Sequence, residues 1–278
     1  MQSPFSLLPS FLVPLLAGAC HNPSSAPTPA DSAPVVLPQS ALAALVRSLE
    51  TVDALRPEGV AIQVRAIECD SLVDRSQPAE FVRVLLHVTV YAQAVARARV
   101  AFEELQRALE AEARSRTREE APTAERIRRV FADMDWQPAL GAEPLVSFSN
   151  AIRIEVAPGR EAPASAEREY LGAQPSEPAS RYLEEVAEAH GMEVRPIVAR
   201  VSEPVPHRRD LRCLFRPAQG DAHFTRVEIA EFLRVLEAGS PAARVTHVRI
   251  ERASTLADPF GPDGWTFEAE LTVRVAVP

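Results

Sequence analysis

The chain contains no lysine, so its 30 basic residues are all arginine, a bias to which no function is assigned. Against 38 acidic residues they leave a net charge of −8, which argues against a broad nucleic-acid surface. Glycine is scarce, with 10 scattered copies, and neither a GxGxxG turn nor a phosphate-cradling loop can be written from them. Three cysteines in 278 residues exclude a disulfide scaffold. There is no GxSxG, HExxH or CxxC pattern, and the six histidines stand apart from one another. Outside the first 19 residues no apolar run approaches the ~18 residues that a membrane-spanning helix requires. What remains is a globular composition, 46% hydrophobic and 24% charged, with 25 prolines that need an explanation.

Many of those prolines mark segments that build no core. Residues 5–19 (FSLLPSFLVPLLAGA) form an uncharged apolar run interrupted by Pro9 and Pro14, which fits the hydrophobic region of a secretory signal peptide over residues 1–19. Ala17-Gly18-Ala19 is a small-residue cleavage site, and with Cys20 it resembles a bacterial lipobox, in which the cysteine becomes the lipidated N-terminus. Residues 20–38, rich in Pro, Ser and Ala, read as a tether holding a domain off the membrane. A second such stretch, 158–180, reads as a linker between a first domain at 39–157 and a second at 181–278. The expected location is the periplasm-facing bacterial envelope, with anchorage at Cys20; secretion as a soluble protein is the alternative.

Between these segments the hydrophobic period alternates between about 3.6 and 2. Ser40 caps a helix with the stripe Leu42, Leu45, Val46 and Leu49; strands follow over Val60–Ile67 and Phe81–Tyr91. A long helix spans about 92–116, a shorter one 122–134, and Val146–Val156 alternates as a strand. The second region reads as a helix ending at Gly191, strands at Glu193–Val201 and Asp210–Arg216, and a helix after the capping box Thr225/Glu228. Two strands close it, Arg244–Glu251 and Trp265–Val275. Strict alternation with one polar face predicts α+β architecture, antiparallel sheets with helices on one face. Ala43, Arg47, Leu49 and Glu50 recur as Ala230, Arg234, Leu236 and Glu237, each helix leading into two strands, which points to duplication of one α-β-β unit.

The segments RYLEEVAEAHGMEV, DLRCLFR, VEIAEFLRVLE, ARVTHVRIERA and WTFEAELTVRVAV resemble the periplasmic PilO and GspM domains of type IV pilus and type II secretion platforms. The first region, with LRPEGVAIQVRAIE and FVRVLLHVTVYAQAVARARVAFEELQRAL, resembles the companion PilN-type domain more loosely. The resemblance implies two ferredoxin-like domains, pairing as homo- or heterodimers with other envelope proteins, and no catalysis. Those platform proteins carry a transmembrane helix where this chain has Cys20, so coupling to a cytoplasmic ATPase does not carry over.

Candidate sites are few: no catalytic residue, cofactor or metal is expected. Asp258, Phe260 and Asp263, in a Pro- and Gly-rich loop between the last two strands, are the candidate partner-binding tip, with a Ca²⁺ loop as the other functional reading; the plainer reading is a long hairpin loop. Cys69 and Cys213 are expected as buried free thiols, with a disulfide between them in an oxidising envelope as the alternative. Arg126, Arg128 and Arg129 read as a helix face, His87 and His247 as rim histidines. The expected function is a non-enzymatic assembly module, and the rival is a periplasmic ligand-binding or enzymatic protein using a cleft between the two regions.

Overall fold

The computed structural model describes residues 39–55, 57–74, 79–115, 122–132, 145–156, 177–201, 208–220, 222–238, 243–253 and 263–276. The apolar segment, Cys20, the tether, residues 158–176, Asp258 and Phe260 lie outside them. The N-terminal half contains α1 (Ala41–Ala54), β1 (Val60–Asp74), β2 (Ala79–Ala92), α2 (Val95–Arg114), α3 (Ala124–Ala132) and β3 (Val146–Val156). The C-terminal half contains α4 (Glu177–Ala189), β4 (Met192–Val201), β5 (Arg208–Pro217), α5 (Arg226–Ala238), β6 (Ala243–Arg252) and β7 (Trp265–Ala276). Thus α4 begins inside the stretch expected to be linker.

The local signals act as the residues require. Ser40 Oγ accepts the Ala43 N–H at 3.1 Å, and the α1 stripe of Leu42, Leu45, Val46 and Leu49 is completely buried. At α5, Glu228 Oε2 accepts the Thr225 N–H at 2.7 Å while Thr225 Oγ1 accepts the Glu228 N–H at 3.3 Å, a reciprocal capping box. Gly191 ends the fourth helix at φ +68°, a left-handed conformation that costs glycine little.

The architecture is α+β, with the seven strands of the described residues in one antiparallel sheet of order β3-β2-β1-β6-β7-β5-β4. The sheet crosses the boundary read from the sequence: β1 pairs with β6 from Ala66↔Glu251 to Asp70↔His247, so the edge backbone groups of one half are satisfied by the other. Val35–Pro278 forms one compact unit. The helices cover one face, over a continuous core that runs from Leu86 and Val88 through Ile67 and Cys69 to Val248, Phe267 and Phe215. Phe232 of α5 meets Phe215 and Phe267 edge-on at 5.4 and 5.8 Å.

A bulge in β1 keeps this core in phase. The register shifts between Val64 and Ala66, so Val60, Ile62 and Val64 face the helices and, beyond Arg65, so do Ile67 and Cys69. Without the extra residue, the second half of the strand would turn its apolar side to solvent.

Candidate functional site

Of the loop residues read as a partner-binding tip, Asp263 is described, and it is structural. Its Oδ1 accepts the Trp265 indole N–H at 2.6 Å and Arg226 Nε–H at 2.9 Å, and its Oδ2 lies 3.4 Å from the Arg226 backbone N. Arg226 in turn donates to the carbonyls of Phe131 and Ala132 at 3.3 and 2.9 Å, capping the C-terminal end of α3. Asp263 therefore fixes the start of α5 and, through Arg226, the end of α3.

The arginine run on α3 serves the same joint. Arg126 grips Glu50 of α1 with two bonds, Nε to Oε1 at 3.0 Å and Nη2 to Oε2 at 2.8 Å, and Arg129 adds a third contact at 3.4 Å. Arg128 reaches Glu231 of α5 at 3.5 Å. Arg126 foremost holds the Glu50 carboxyl below its usual range, against a burial that pushes the other way. Beneath these charges Ile127, Val130 and Phe131 are buried. The three arginines read as a solvated face are thus a clamp, with α3 lying between the first and fifth helices. At the far end of α1, Ser40 donates its hydroxyl to buried Glu237 Oε1 at 2.7 Å, and the same oxygen accepts the Val245 N–H at 3.1 Å. The repeated glutamates Glu50 and Glu237 therefore play different parts, one surface clamp and one buried acceptor.

The face of the sheet turned away from the described helices carries a band of paired polar side chains. Thr89 and Ser149 meet at 2.9 Å, and Arg65 donates to Tyr91, which donates to Gln63, both at 3.1 Å. At the seam, His247 Nδ1 lies 2.6 Å from Asp70 Oδ1 and its Nε2 3.5 Å from Glu268 Oε1. Glu268 is shared with Arg216 at 3.4 Å, and Glu270 with Arg212 at 3.4 Å, so the contacts continue onto β5. Burial opposes a charge on His247, but the hydrogen bond and charge of Asp70, with Glu268 behind them, outweigh it and raise the imidazole above its ordinary value. The rim histidine of the sequence is in fact the polar centre of the seam. Only the β1–β6 register reveals this, because Asp70 and His247 are 177 positions apart.

Cys69 and Cys213 are free thiols; Cys69 is buried as expected, while Cys213 is partly buried against the core. They sit on β1 and β5 with two strands between, roughly 14 Å of sheet against the ~7 Å a disulfide tolerates. Burial raises both thiols, Cys69 strongly, with Asp70 and Glu68 adding to it there and Glu270 at Cys213. Among the described residues no group of three or more His, Cys, Asp or Glu is set to hold a metal ion, and no helix is long and apolar enough to cross a membrane. Where the halves meet, the helix side is filled by Ile67, Cys69, Val248 and Ile250, all almost completely buried. What the arrangement offers chemically is cohesion: charges are spent on one another across elements. No family model, curated protein or solved structure matches this chain.

Proposed function

We propose that the protein is a non-enzymatic envelope lipoprotein, anchored at Cys20, that works as an assembly module through the strand edges and helix faces of two fused ferredoxin-like units. The observation that carries this reading is the joint inside the chain, where two α-β units associate edge to edge through β1 and β6. The C-terminal half supports the ferredoxin-like assignment with its α-β-β-α-β-β order and its strand sequence β6-β7-β5-β4. A place in a pilus or secretion platform follows from the resemblance of the segments quoted above. An assembly role is favoured over ligand binding between the halves, because core side chains fill the helix side of their seam.

Two measurements test the reading. In cells, the wild-type chain should fractionate with membranes and migrate in native gels well above its own 30.3 kDa. C20S should release it from the membrane. Unchanged membrane association of C20S removes the lipid anchor, and migration as a free monomer in native extracts removes the assembly role.

A further inference from the structure

The two halves differ at one place in the sheet. In the C-terminal half β7 is flanked on both sides, by β5 and β6. In the N-terminal half β3 pairs with β2 much as β7 pairs with β5, but no strand among the described residues occupies its other side. Among the described residues, the outer side of β3 is an open antiparallel edge.

The two edges of the sheet are also guarded unequally. On β4, Pro196 supplies no N–H and the register breaks between Ile197 and Arg200, both devices that discourage a further strand. β3 has neither: its register with β2 runs from Val82↔Val156 to Ala92↔Val146 without a shift. The Ala151 N–H is taken by Asn150 Oδ1 at 2.8 Å rather than by β2. Peptide groups alternate sides along an antiparallel strand, so those of Arg153 and Glu155 also point outward.

From this edge we infer that β3 pairs antiparallel with the β3 of a second copy of the chain, about a two-fold axis at Ile154. This register sets Arg153 opposite Glu155 of the other copy, twice by symmetry, in the pairs that exchange backbone hydrogen bonds. It also sets Ile152 opposite Val156 and Ile154 opposite itself. The charges lie on the exposed face, and Ile152, Ile154 and Val156 lie on the buried helix side, so both faces of the extended sheet match. The inference deepens the assembly reading by naming one edge and one partner.

The test is sedimentation of the full chain in detergent, wild type against R153E and E155R. The wild type should form dimers. Each variant alone faces like charges across the axis and should dimerise at least about tenfold more weakly. An equimolar mixture should dimerise like the wild type, because the paired glutamates of the R153E strand then face the paired arginines of the E155R strand. The ion pair within one strand, 3.3 Å between Arg153 and Glu155, cannot produce that rescue. Glu155 also lies opposite Arg83 on β2, so folding of E155R is checked by circular dichroism. I154C in a C20S background gives an independent reading, since a thiol on the axis should form an interchain disulfide under mild oxidation. A wild type that is monomeric at every concentration, variants that dimerise unaltered, a mixture that shows no rescue, or an I154C that does not cross-link would each overturn the inference. A purified monomer whose chain still migrates in large complexes in cells would sink the β3 pairing and leave the assembly role standing.

Discussion

The C-terminal half places a strand directly after α5, whereas the N-terminal half places a second helix, α3, after α2. The consequence reaches beyond the order of elements. The α3 segment lies in the helix layer between α1 and α5, where its arginines and apolar face tie the halves together. The sheet seam beneath it is short, with five register pairs against fourteen between β1 and β2. The comparison teaches that where one half spends its segment on a strand, the other uses it as a strut between helices. Among the described strands, β3 is left with one unpaired edge.

If α3 is that strut, emptying its core should be the largest perturbation. Phe131 is 1% exposed, and F131A should lower stability by about 3–5 kcal/mol in urea unfolding. Hydrogen exchange read strand by strand should rise first at β1 and β6. A loss confined to α3 itself would show that the halves hold together without it. Next in size is E237A, which strands the Val245 N–H and the Ser40 hydroxyl in a buried site; about 2 kcal/mol is expected. E50A should cost less, since Glu50 is partly exposed, and equal losses would erase the distinction between the two repeated glutamates. D263A should cost about 1.5 kcal/mol by leaving the Trp265 indole N–H and Arg226 without their acceptor. Unchanged stability of D263A would return this residue to the partner-binding tip.

Periodicity revealed most of the fold. β3 runs over the residues its alternation marks, and the helices begin at the caps that Ser40 and Thr225 announce. β1 shows where the reading fails: Val60–Ile67 was legible, but the bulge at Arg65 breaks the alternation, and the strand continues to Asp74. An extra residue inverts the apparent phase, so a strand looks finished where it bends. The site was less legible because its contacts are set by register. Nothing in the arginine run distinguishes a solvated face from a clamp until Glu50 and Glu231 stand opposite it. Likewise a lone Asp263 in a loop of Pro and Gly reads as a tip until Trp265 and Arg226 turn toward it.

The smallest expected effect distinguishes the two layers of the joint by pH. His247 faces Asp70 and Glu68 from β1, Glu268 and Glu270 from β7, and Arg249 and Glu251 along its own strand, with Arg216 reaching Glu268 from β5. Its folded value is raised, so protonation stabilises the folded chain. That contribution is complete below the ordinary imidazole value and fades as pH rises through the folded one. The stability difference between wild type and H247Q should therefore be larger near about pH 6 than near about pH 8. D70N should remove most of this dependence, because Asp70 supplies the main favourable contact. The magnitude is modest, since His247 and Asp70 keep 21% and 26% of their side-chain exposure and remain screened by water. The helix layer should respond in the opposite sense at lower pH: Glu50 is lowered, so its contribution is present above the ordinary carboxyl value and lost as pH falls through the folded one. A seam that weakens toward alkali and a strut that weakens toward acid give the joint a stability maximum between them. H247Q should move that maximum upward in pH and E50Q should move it downward. A shared shift in one direction would show that the two layers do not act separately.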